Sequence, residues 1–436
     1  MNLRKRKLLI FILLSGILLA GLYFVPPVHE RAARRLEELS LRIAYQLNPP
    51  AKAIFVPTQQ QLAAPQVRRI QAGITDEPLQ ADIKLTTGPS QTPEPSLTPT
   101  PAATPLPERV ELEGVIYEDQ HGSRRNYCAP ANLSMALSYW GWKGDKYLVG
   151  PVVKPDNEDK NVMPYELEDY VHNDTGLGAV LRVGGDLNVL RRFIAAGYPV
   201  LVENGVYFHD LTGVVSWMGH YRVVNGYDDA AGTFITQDSF IGADHPVPYN
   251  EMLSAWRAFN YTYLVTYPPE KEAEVMQLLG PDADETANQQ NAALIASNEI
   301  YGLSGIEQYF AWFNRGSSLA ALQDYGGAAA AFDESFKIYP TIPEAERPWR
   351  MLWYQTGPYF AYYGIERYYD LLYLADSTLA AMQGDKNLEE SYYWRGMARV
   401  SLGETQAAIE DFQTSLKYHP GFEPALYQLE LLGANN

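Results

Sequence analysis

The pattern of apolar and polar residues divides the chain into three regions. An almost unbroken apolar run extends from Leu8 to Val25, and a helix of this length spans about 27 Å, close to the ~30 Å of a bilayer core. A helical pattern follows Cys128, and strand-like runs at residues 219–229 and 233–238 meet at turn-forming residues. From about Asp282 onward the pattern is helical and rich in alanine and tyrosine. The chain is therefore expected to have a membrane helix, an α+β domain and an all-α domain.

The N-terminal region carries the signals of a signal anchor. Four basic residues, Arg4 to Lys7, precede the apolar run, so residues 1–27 are predicted to be a cytoplasmic flank and a transmembrane helix. The apolar run continues to Pro26 without a small-residue cleavage site, which favours a retained anchor over a cleaved signal peptide. Residues 28–50 are predicted to form an amphipathic juxtamembrane helix, with a plain stalk as the alternative. This arrangement predicts extracytoplasmic C-terminal domains.

Residues 51–108 are predicted to be a disordered linker, because they include a long Thr/Pro-rich tract that cannot bury a core.

The charge also changes along the chain. Residues 1–52 are basic, whereas the whole chain has a formal net charge of −18, so the remainder is strongly acidic. This acidity argues against nucleic-acid binding and leaves the substrate open. The tether and the scarcity of cysteine suggest a prokaryotic surface protein.

Cys128 is the only cysteine of the chain and stands where a loop runs into the predicted helix. A thiol at a helix N-terminus has its thiolate stabilised by the helix dipole, which suggests a nucleophile, although lone cysteines are often core residues. His220 follows a glycine in the first strand-like run, and Asp238 ends the second. A hairpin would bring these two side chains together. The residues thus allow a Cys-His-Asp arrangement.

The order of these motifs resembles the C39-like group of papain-fold cysteine peptidases. The Cys-x-Pro-Ala motif is followed by a helix, a Gly-His strand, a Gly-Tyr-Asp turn and an aspartate at the end of the next strand. The resemblance covers roughly residues 112–268 and implies an α+β papain-like domain over residues 109–270. Two further helices, at residues 163–171 and 186–196, are predicted within it.

The resemblance also implies a role for each motif residue. Cys128 would be the nucleophile, His220 the general base and acid, and Asp238 the residue that orients the imidazole. Gln120 would donate to the oxyanion, although it stands further upstream than is usual in the group, and an ordinary loop glutamine is an equal alternative. The group needs no metal or organic cofactor, and none is expected. The other histidines show no metal-binding spacing, and the charge run Asp156 to Lys160 is expected to be a solvated surface.

Two positions depart from the pattern of the group. Ala129 follows the cysteine where glycine is usual, and Ser239 follows the aspartate where proline is usual. Neither change removes a group that transfers protons. Both changes are compatible with an inactive member of the group that keeps the fold and binds peptides without cleaving them.

Residues 282–436 resemble tetratricopeptide repeats. Two segments overlay with a constant offset of 80 positions and share the aromatic, small, alanine, aromatic and proline pattern of such repeats, and a degenerate repeat is predicted between them. Most of its tyrosines are expected in the core, and a capping helix is predicted at residues 424–432. The matching residues are Trp312, Gly316, Ala328, Phe332 and Pro340 in the first segment and Tyr392, Gly396, Ala408, Phe412 and Pro420 in the second.

Together these features predict a membrane-anchored, extracytoplasmic cysteine peptidase that cleaves peptide bonds and whose helical repeats dock a protein partner or substrate. The competing prediction is a catalytically inactive, C39-like peptide-binding surface adaptor. Transfer of the acyl group to an amine is a further possibility, because a cysteine acyl-enzyme can react with an amine instead of water.

Overall fold

A computed structural model of the protein describes residue 55 and residues 105–121, 126–156, 159–209, 215–382 and 386–434. Its first half, the sheet domain, is an antiparallel sheet with helices packed on it, and its second half, the helical region, runs from residue 285 to 434. The strands are β1 (Arg109–Glu111), β2 (Gly178–Arg182), β3 (Val200–His209), β4 (Val215–Asp228), β5 (Thr233–Asp238), β6 (Gly242–Pro248) and β7 (Tyr263–Tyr267).

The strand order in the sheet is β2-β7-β3-β4-β5-β6, and β1 pairs with the distal end of β4. The long strand β4 is central, and the hairpin predicted between β4 and β5 is confirmed, with Val223 opposite Gln237. Among the described residues, six α-helices belong to the sheet domain, and all three helices predicted there are present. They are α1 (Cys128–Tyr139), α2 (Lys146–Val153), α3 (Pro164–Asp174), α4 (Leu187–Ala195), α5 (Tyr249–Arg257) and α6 (Glu272–Leu279).

The helical region consists of helices that pack mainly on their chain neighbours, as the repeat pattern predicts. Tyr359 and Tyr362 of the degenerate middle repeat are fully buried, whereas Tyr369 is 63% exposed, so the aromatic residues there serve largely as core. The helices are α7 (Glu285–Ile300), α8 (Gly305–Ala321), α9 (Tyr325–Ile338), α10 (Met351–Tyr354), α11 (Gly357–Gly364), α12 (Tyr368–Ala380), α13 (Glu389–Ser401), α14 (Thr405–Tyr418) and α15 (Glu423–Leu431).

The two overlaid repeat segments share one packing detail. A Cβ atom on Gly316 would lie 2.7 Å from the ring of Phe332, and a Cβ atom on Gly396 would lie 2.7 Å from the ring of Phe412. Both rings are fully buried and cannot move aside. The glycine of each segment therefore lets the second helix of the pair approach the first, which gives the sequence repeat a physical basis.

We expect Gly316→Ala to destabilise the protein by about 1–3 kcal/mol, because the added methyl group overlaps the buried Phe332 ring. Gly326→Ala is the matched control, since its Cβ would meet only Asp324 Oδ1, at 3.9 Å, within the same helix pair. That change should stabilise the helix by about 0.5–1 kcal/mol. Urea unfolding of the two variants measures both effects. A change of the same sign in the free energy of unfolding of both variants would contradict this account.

The sheet domain and the helical region share one hydrophobic core. Trp217 of β4 stacks on Phe259 with ring centroids 5.7 Å apart, and it also contacts Phe310 of α8 and Tyr354 of α10, each at 6.0 Å. Polar contacts accompany this packing, and Gln355 Nε2 donates to the carbonyl of Ala258 over 2.8 Å. The helical region is thus part of the support for the central strand.

The prediction that the charge run Asp156 to Lys160 forms a solvated surface is wrong for Asp159, which is 3% exposed. Here the sheet domain meets the helical region, and Asn387 Nδ2 donates to Asp156 over 2.9 Å. Lys154 is also buried, and its ammonium group donates to the carbonyl of Asp159 over 2.6 Å. Local composition could not reveal this burial, because the covering residues lie about 230 positions further along the chain.

The predicted transmembrane and juxtamembrane helices lie outside the described residues. Within the residues that are described, no helix combines the length and apolar character needed to cross a bilayer. Phe55 falls within the predicted linker, and it is buried against the helical region, with its ring 5.0 Å from that of Phe336 and 5.5 Å from that of Tyr373.

Candidate active site

Cys128 is the first residue of helix α1 and is partly exposed. The residues that follow it, from Ala129 to Leu137, are buried and fix the helix against the sheet. The backbone N–H groups of Ala129 and Tyr221 and the side chain of His220 each lower the pKa of the thiol. The helix start therefore directs the thiol at strand β4.

His220 lies in β4 and Asp238 at the end of β5, so the hairpin brings them together. His220 Nε2 is 2.8 Å from Asp238 Oδ1, and both side chains are buried. Because Nε2 faces the carboxylate, the other ring nitrogen, Nδ1, is left for the Cys128 thiol. The three side chains thus form a series in the order thiol, imidazole and carboxylate, in which His220 is hydrogen-bonded to Asp238 and acts electrostatically on Cys128.

The electrostatics of the series favour an ion pair. Burial opposes the charged form of Cys128, but the hydrogen bond and positive charge of His220 lower the pKa of the thiol below its usual value. Burial likewise opposes a charge on His220, yet the Asp238 carboxylate raises the pKa of the imidazole to about 9. Both shifts favour a thiolate beside an imidazolium over the neutral pair.

Asp238 is held as a carboxylate by its neighbours. Burial would raise the pKa of Asp238, but the charge and hydrogen bond of His220 lower it well below the usual range. The backbone N–H groups of Phe240 and Ile241 donate to Oδ1 over 2.9 and 3.1 Å, and Arg222 Nε lies 3.6 Å from Oδ2. These contacts also fix the carboxylate, and through it the orientation of the imidazole.

Gln120 reaches the same site through a side-chain bridge. Ser239 Oγ donates to Gln120 Oε1 over 2.8 Å, and Asn132 Nδ2 donates to Ser239 Oγ over 2.7 Å. Asn132 Nδ2 also lies 2.9 Å from the carbonyl of Cys128, and Gln120 N donates to the carbonyl of Ser239. The bridge anchors the amide oxygen of Gln120, which leaves its Nε2 group as the donor of that side chain.

Two phenylalanine rings cover the imidazole. Phe208 and Phe240 stack with centroids 4.2 Å apart, and Phe208 meets the His220 ring edge-on at 5.2 Å. This cover keeps His220 at 2% exposure. Limited water around the ring strengthens its interaction with Asp238.

The helical region also contributes to the site. The ring of Tyr354 packs against Gly219, next to His220, and burial raises the pKa of Tyr354 to about 12. A Cβ atom on Gly219 would lie 2.8 Å from the Phe259 ring and 3.1 Å from the Tyr354 ring. The glycine of the Gly-His motif is therefore required for close approach of these rings.

Glu203 is a buried carboxyl group near the thiol. It lies in β3 opposite Tyr221 and is 4% exposed. Burial, and then the charge of Cys128, raise the pKa of Glu203 well above its usual value. Burial and the nearby thiol thus favour the neutral form of the Glu203 carboxyl group.

The structure places the four residues expected at the site, Cys128, His220, Asp238 and Gln120, in one connected group. Sequence reasoning missed the bridging role of Ser239, which it treated only as a departure from proline. It also missed further neighbours of the site, because their positions depend on contacts between distant segments. These are Asn132, Glu203, Phe208, Arg222, Phe240 and Tyr354.

Comparisons with known proteins agree with this architecture. Residues 112–264 match the Peptidase_C39 like family, and residues 389–421 match the tetratricopeptide repeat. No curated protein matches the chain. The crystal structure of a Bacillus anthracis protein assigned as a C39-like peptidase matches this chain with 18% sequence identity and a TM-score of 0.29. The match covers 36% of this chain and 96% of that one. This likeness is too weak to add an argument. The family matches show that this chain carries a C39-like peptidase family domain followed by a tetratricopeptide-like helical region.

Proposed function

We propose that the protein is a cysteine peptidase that uses Cys128, His220 and Asp238. The observation that carries the proposal is the 2.8 Å hydrogen bond of His220 to the buried Asp238 carboxylate, with the same imidazole lowering the pKa of the Cys128 thiol. The match of residues 112–264 to a peptidase-like family supports the reaction class. The papain-like fold and the domain limits 109–270 and 282–436 belong to the same proposal.

The chemistry follows from the charge of each group. The Cys128 thiolate attacks a peptide carbonyl carbon and forms a carbon–sulfur bond, and the imidazolium of His220 gives its proton to the departing amine. Water, deprotonated by the now neutral imidazole, then attacks the thioester carbonyl, and the carbon–sulfur bond breaks to release the acid product and to restore the thiolate beside the imidazolium. Asp238 holds the ring throughout, and Gln120 Nε2 donates to the oxyanion of each tetrahedral intermediate.

We further propose that the enzyme is anchored in the cell membrane with its C-terminal domains extracytoplasmic. The basic flank and apolar run of residues 1–27 support this placement, with residues 28–50 as an amphipathic segment and 51–108 as a linker. The helical region is proposed to dock a protein partner or substrate, as the repeat match suggests.

The test is cleavage of a peptide library, read by mass spectrometry, with the full chain and with Cys128→Ala. We expect new peptide termini with the unchanged chain and none with the variant. Termini in both samples would mean a contaminating peptidase, and their absence in both would contradict the proposed activity. The nearly complete burial of His220 favours the second candidate, a peptide-binding adaptor. A library peptide retained by the chain without cleavage would support that candidate.

Gln120→Ala should separate oxyanion stabilisation from activation of the thiol. We expect the rate of Cys128 acylation by p-nitrophenyl acetate to fall by about 100-fold, because one oxyanion donor is lost. Alkylation by iodoacetamide forms no oxyanion and should keep its rate and its pH profile. Stopped-flow absorbance and mass spectrometry measure the two rates.

Gln59→Ala, in the proposed linker, is the matched control and should change neither rate. Equal loss of both rates in Gln120→Ala would mean that the substitution disturbs Cys128 itself. In that case Gln120 would be a structural residue of the Ser239 bridge and not an oxyanion donor.

A further inference from the structure

Ionisable side chains are concentrated where the sheet domain meets the helical region. Asp159 and Glu166, which is on α3, come from the sheet domain, and Glu389, Glu390 and His419 come from helix α13 and the end of α14. Asp159, Glu389 and Glu390 are each no more than 6% exposed. None of these groups belongs to the proposed catalytic series.

Three of these residues present their polar atoms to one another. His419 Nδ1 lies 2.9 Å from Glu389 Oε1 and 3.9 Å from Glu166 Oε1, and one ligand atom of each residue lies within 4.8 Å of the other two. Ligand atoms bound to a tetrahedral Zn²⁺ at about 2.1 Å are about 3.4 Å apart. The distance from His419 Nδ1 to Glu389 Oε1, 2.9 Å, is shorter than this value, and the distance to Glu166 Oε1, 3.9 Å, is longer.

The group has more acidic than basic side chains. The carboxyl groups of Asp159, Glu166, Glu389 and Glu390 act electrostatically on one another, whereas Lys154 acts on Asp159, and Glu389 and Asp159 act on His419. Bringing buried carboxylates together costs free energy unless a cation or protons compensate. Glu389 provides an independent observation. Its side chain is 2% exposed, and its Oε2 atom has no hydrogen-bond partner.

We propose that Glu166, Glu389 and His419 bind a divalent transition-metal ion, of which Zn²⁺ is the best probe. Mixed imidazole and carboxylate ligands suit Zn²⁺ or Mn²⁺, whereas Mg²⁺ and Ca²⁺ prefer oxygen ligands alone. The unpartnered Oε2 of Glu389 supplies a lone pair for the ion, and the carboxyl groups of Asp159 and Glu390 lie in the same cluster.

The ion would link the two halves of the protein. Glu166 lies in the first turn of α3, and its Oε2 accepts a hydrogen bond from the N–H of Met163 over 2.7 Å. The preceding residue, Val162, accepts a hydrogen bond from the Tyr221 hydroxyl over 2.9 Å, and Tyr221 adjoins His220. Metal binding would therefore hold the repeats against the segment that supports the central strand.

The test uses the full chain carrying Cys128→Ser, so that the thiol cannot bind the metal. After removal of bound ions by a chelator, titration calorimetry with ZnCl₂ should show one site per chain. Glu389→Gln and His419→Gln should each weaken binding at least 100-fold. Glu410→Gln, an exposed glutamate of α14, is the matched control and should leave binding unchanged. Titrations with MnCl₂, MgCl₂ and CaCl₂ determine the selectivity.

Thermal unfolding shows whether a variant that does not bind Zn²⁺ is still folded. Without metal, Glu389→Gln should unfold at the same Tm as the parent or higher, because it removes one of the clustered charges. With excess Zn²⁺, the Tm of the parent should rise by several degrees and that of Glu389→Gln should not. Absence of a stoichiometric Zn²⁺ or Mn²⁺ site in the parent, or equal binding by the parent, Glu389→Gln and His419→Gln, would overturn the proposal.

Discussion

Substituting alanine for His220 is expected to lower kcat/KM for peptide cleavage by about 10⁴-fold or more, because it removes the group that transfers the proton. The same change should move the midpoint of iodoacetamide alkylation of Cys128 up to the free-thiol pKa of about 8.5 or beyond. In the unchanged protein the imidazolium lowers the pKa of the thiol, so alkylation should persist well below that pH.

His220 also sets an upper pH limit for peptide cleavage. Its pKa of about 9 means that the imidazolium loses its proton as the pH rises through that value, so kcat/KM should decline there. His172→Ala removes an exposed histidine of α3 and is the matched control. An alkylation profile that stays the same in His220→Ala and His172→Ala would show that His220 does not activate the thiol.

Trp217→Ala is expected to cost about 3–5 kcal/mol of the free energy of unfolding. Its side chain is 1% exposed and contacts Phe259, Phe310 and Tyr354, so truncation opens a cavity between the sheet domain and the helical region. Trp217 is also three residues from His220 in the same strand. Unfolding should therefore expose Cys128 and melt the repeats in one transition.

Urea unfolding followed by circular dichroism and by alkylation of Cys128 measures both parts of this expectation. Tyr301→Ala is the matched control, because that ring is 91% exposed and its loss should change stability by no more than about 0.5 kcal/mol. Two separate transitions in the unchanged protein would contradict a shared core.

The geometry of the proposed catalytic series could be predicted because it depends on short-range patterns. The helix that starts at Cys128 follows from apolar periodicity, and the approach of His220 to Asp238 follows from a hairpin with a short turn. In the same way, the repeat offset identified Gly316 and Gly396 as equivalent positions, and both pack against a buried phenylalanine ring.

The rest depends on contacts that local patterns do not encode. Tyr354 approaches Gly219 from 135 positions further along the chain, and no periodicity in either segment indicates that contact. Ser239 was expected to be a mere departure from proline, yet its hydroxyl bridges Gln120 and Asn132. Only the folded structure shows that a polar residue has a use at that position.

The single thiol also has a consequence for redox chemistry. A partly exposed cysteine whose pKa is lowered reacts readily with peroxide and forms a sulfenic acid. Because Cys128 is the only cysteine of the chain, that sulfenic acid cannot be captured as an intramolecular disulfide. It must be reduced by an external thiol before it proceeds to the irreversible sulfinic acid. The protein would then depend on thiols in its surroundings to stay reduced, and exposure to oxidants would inactivate it irreversibly over time.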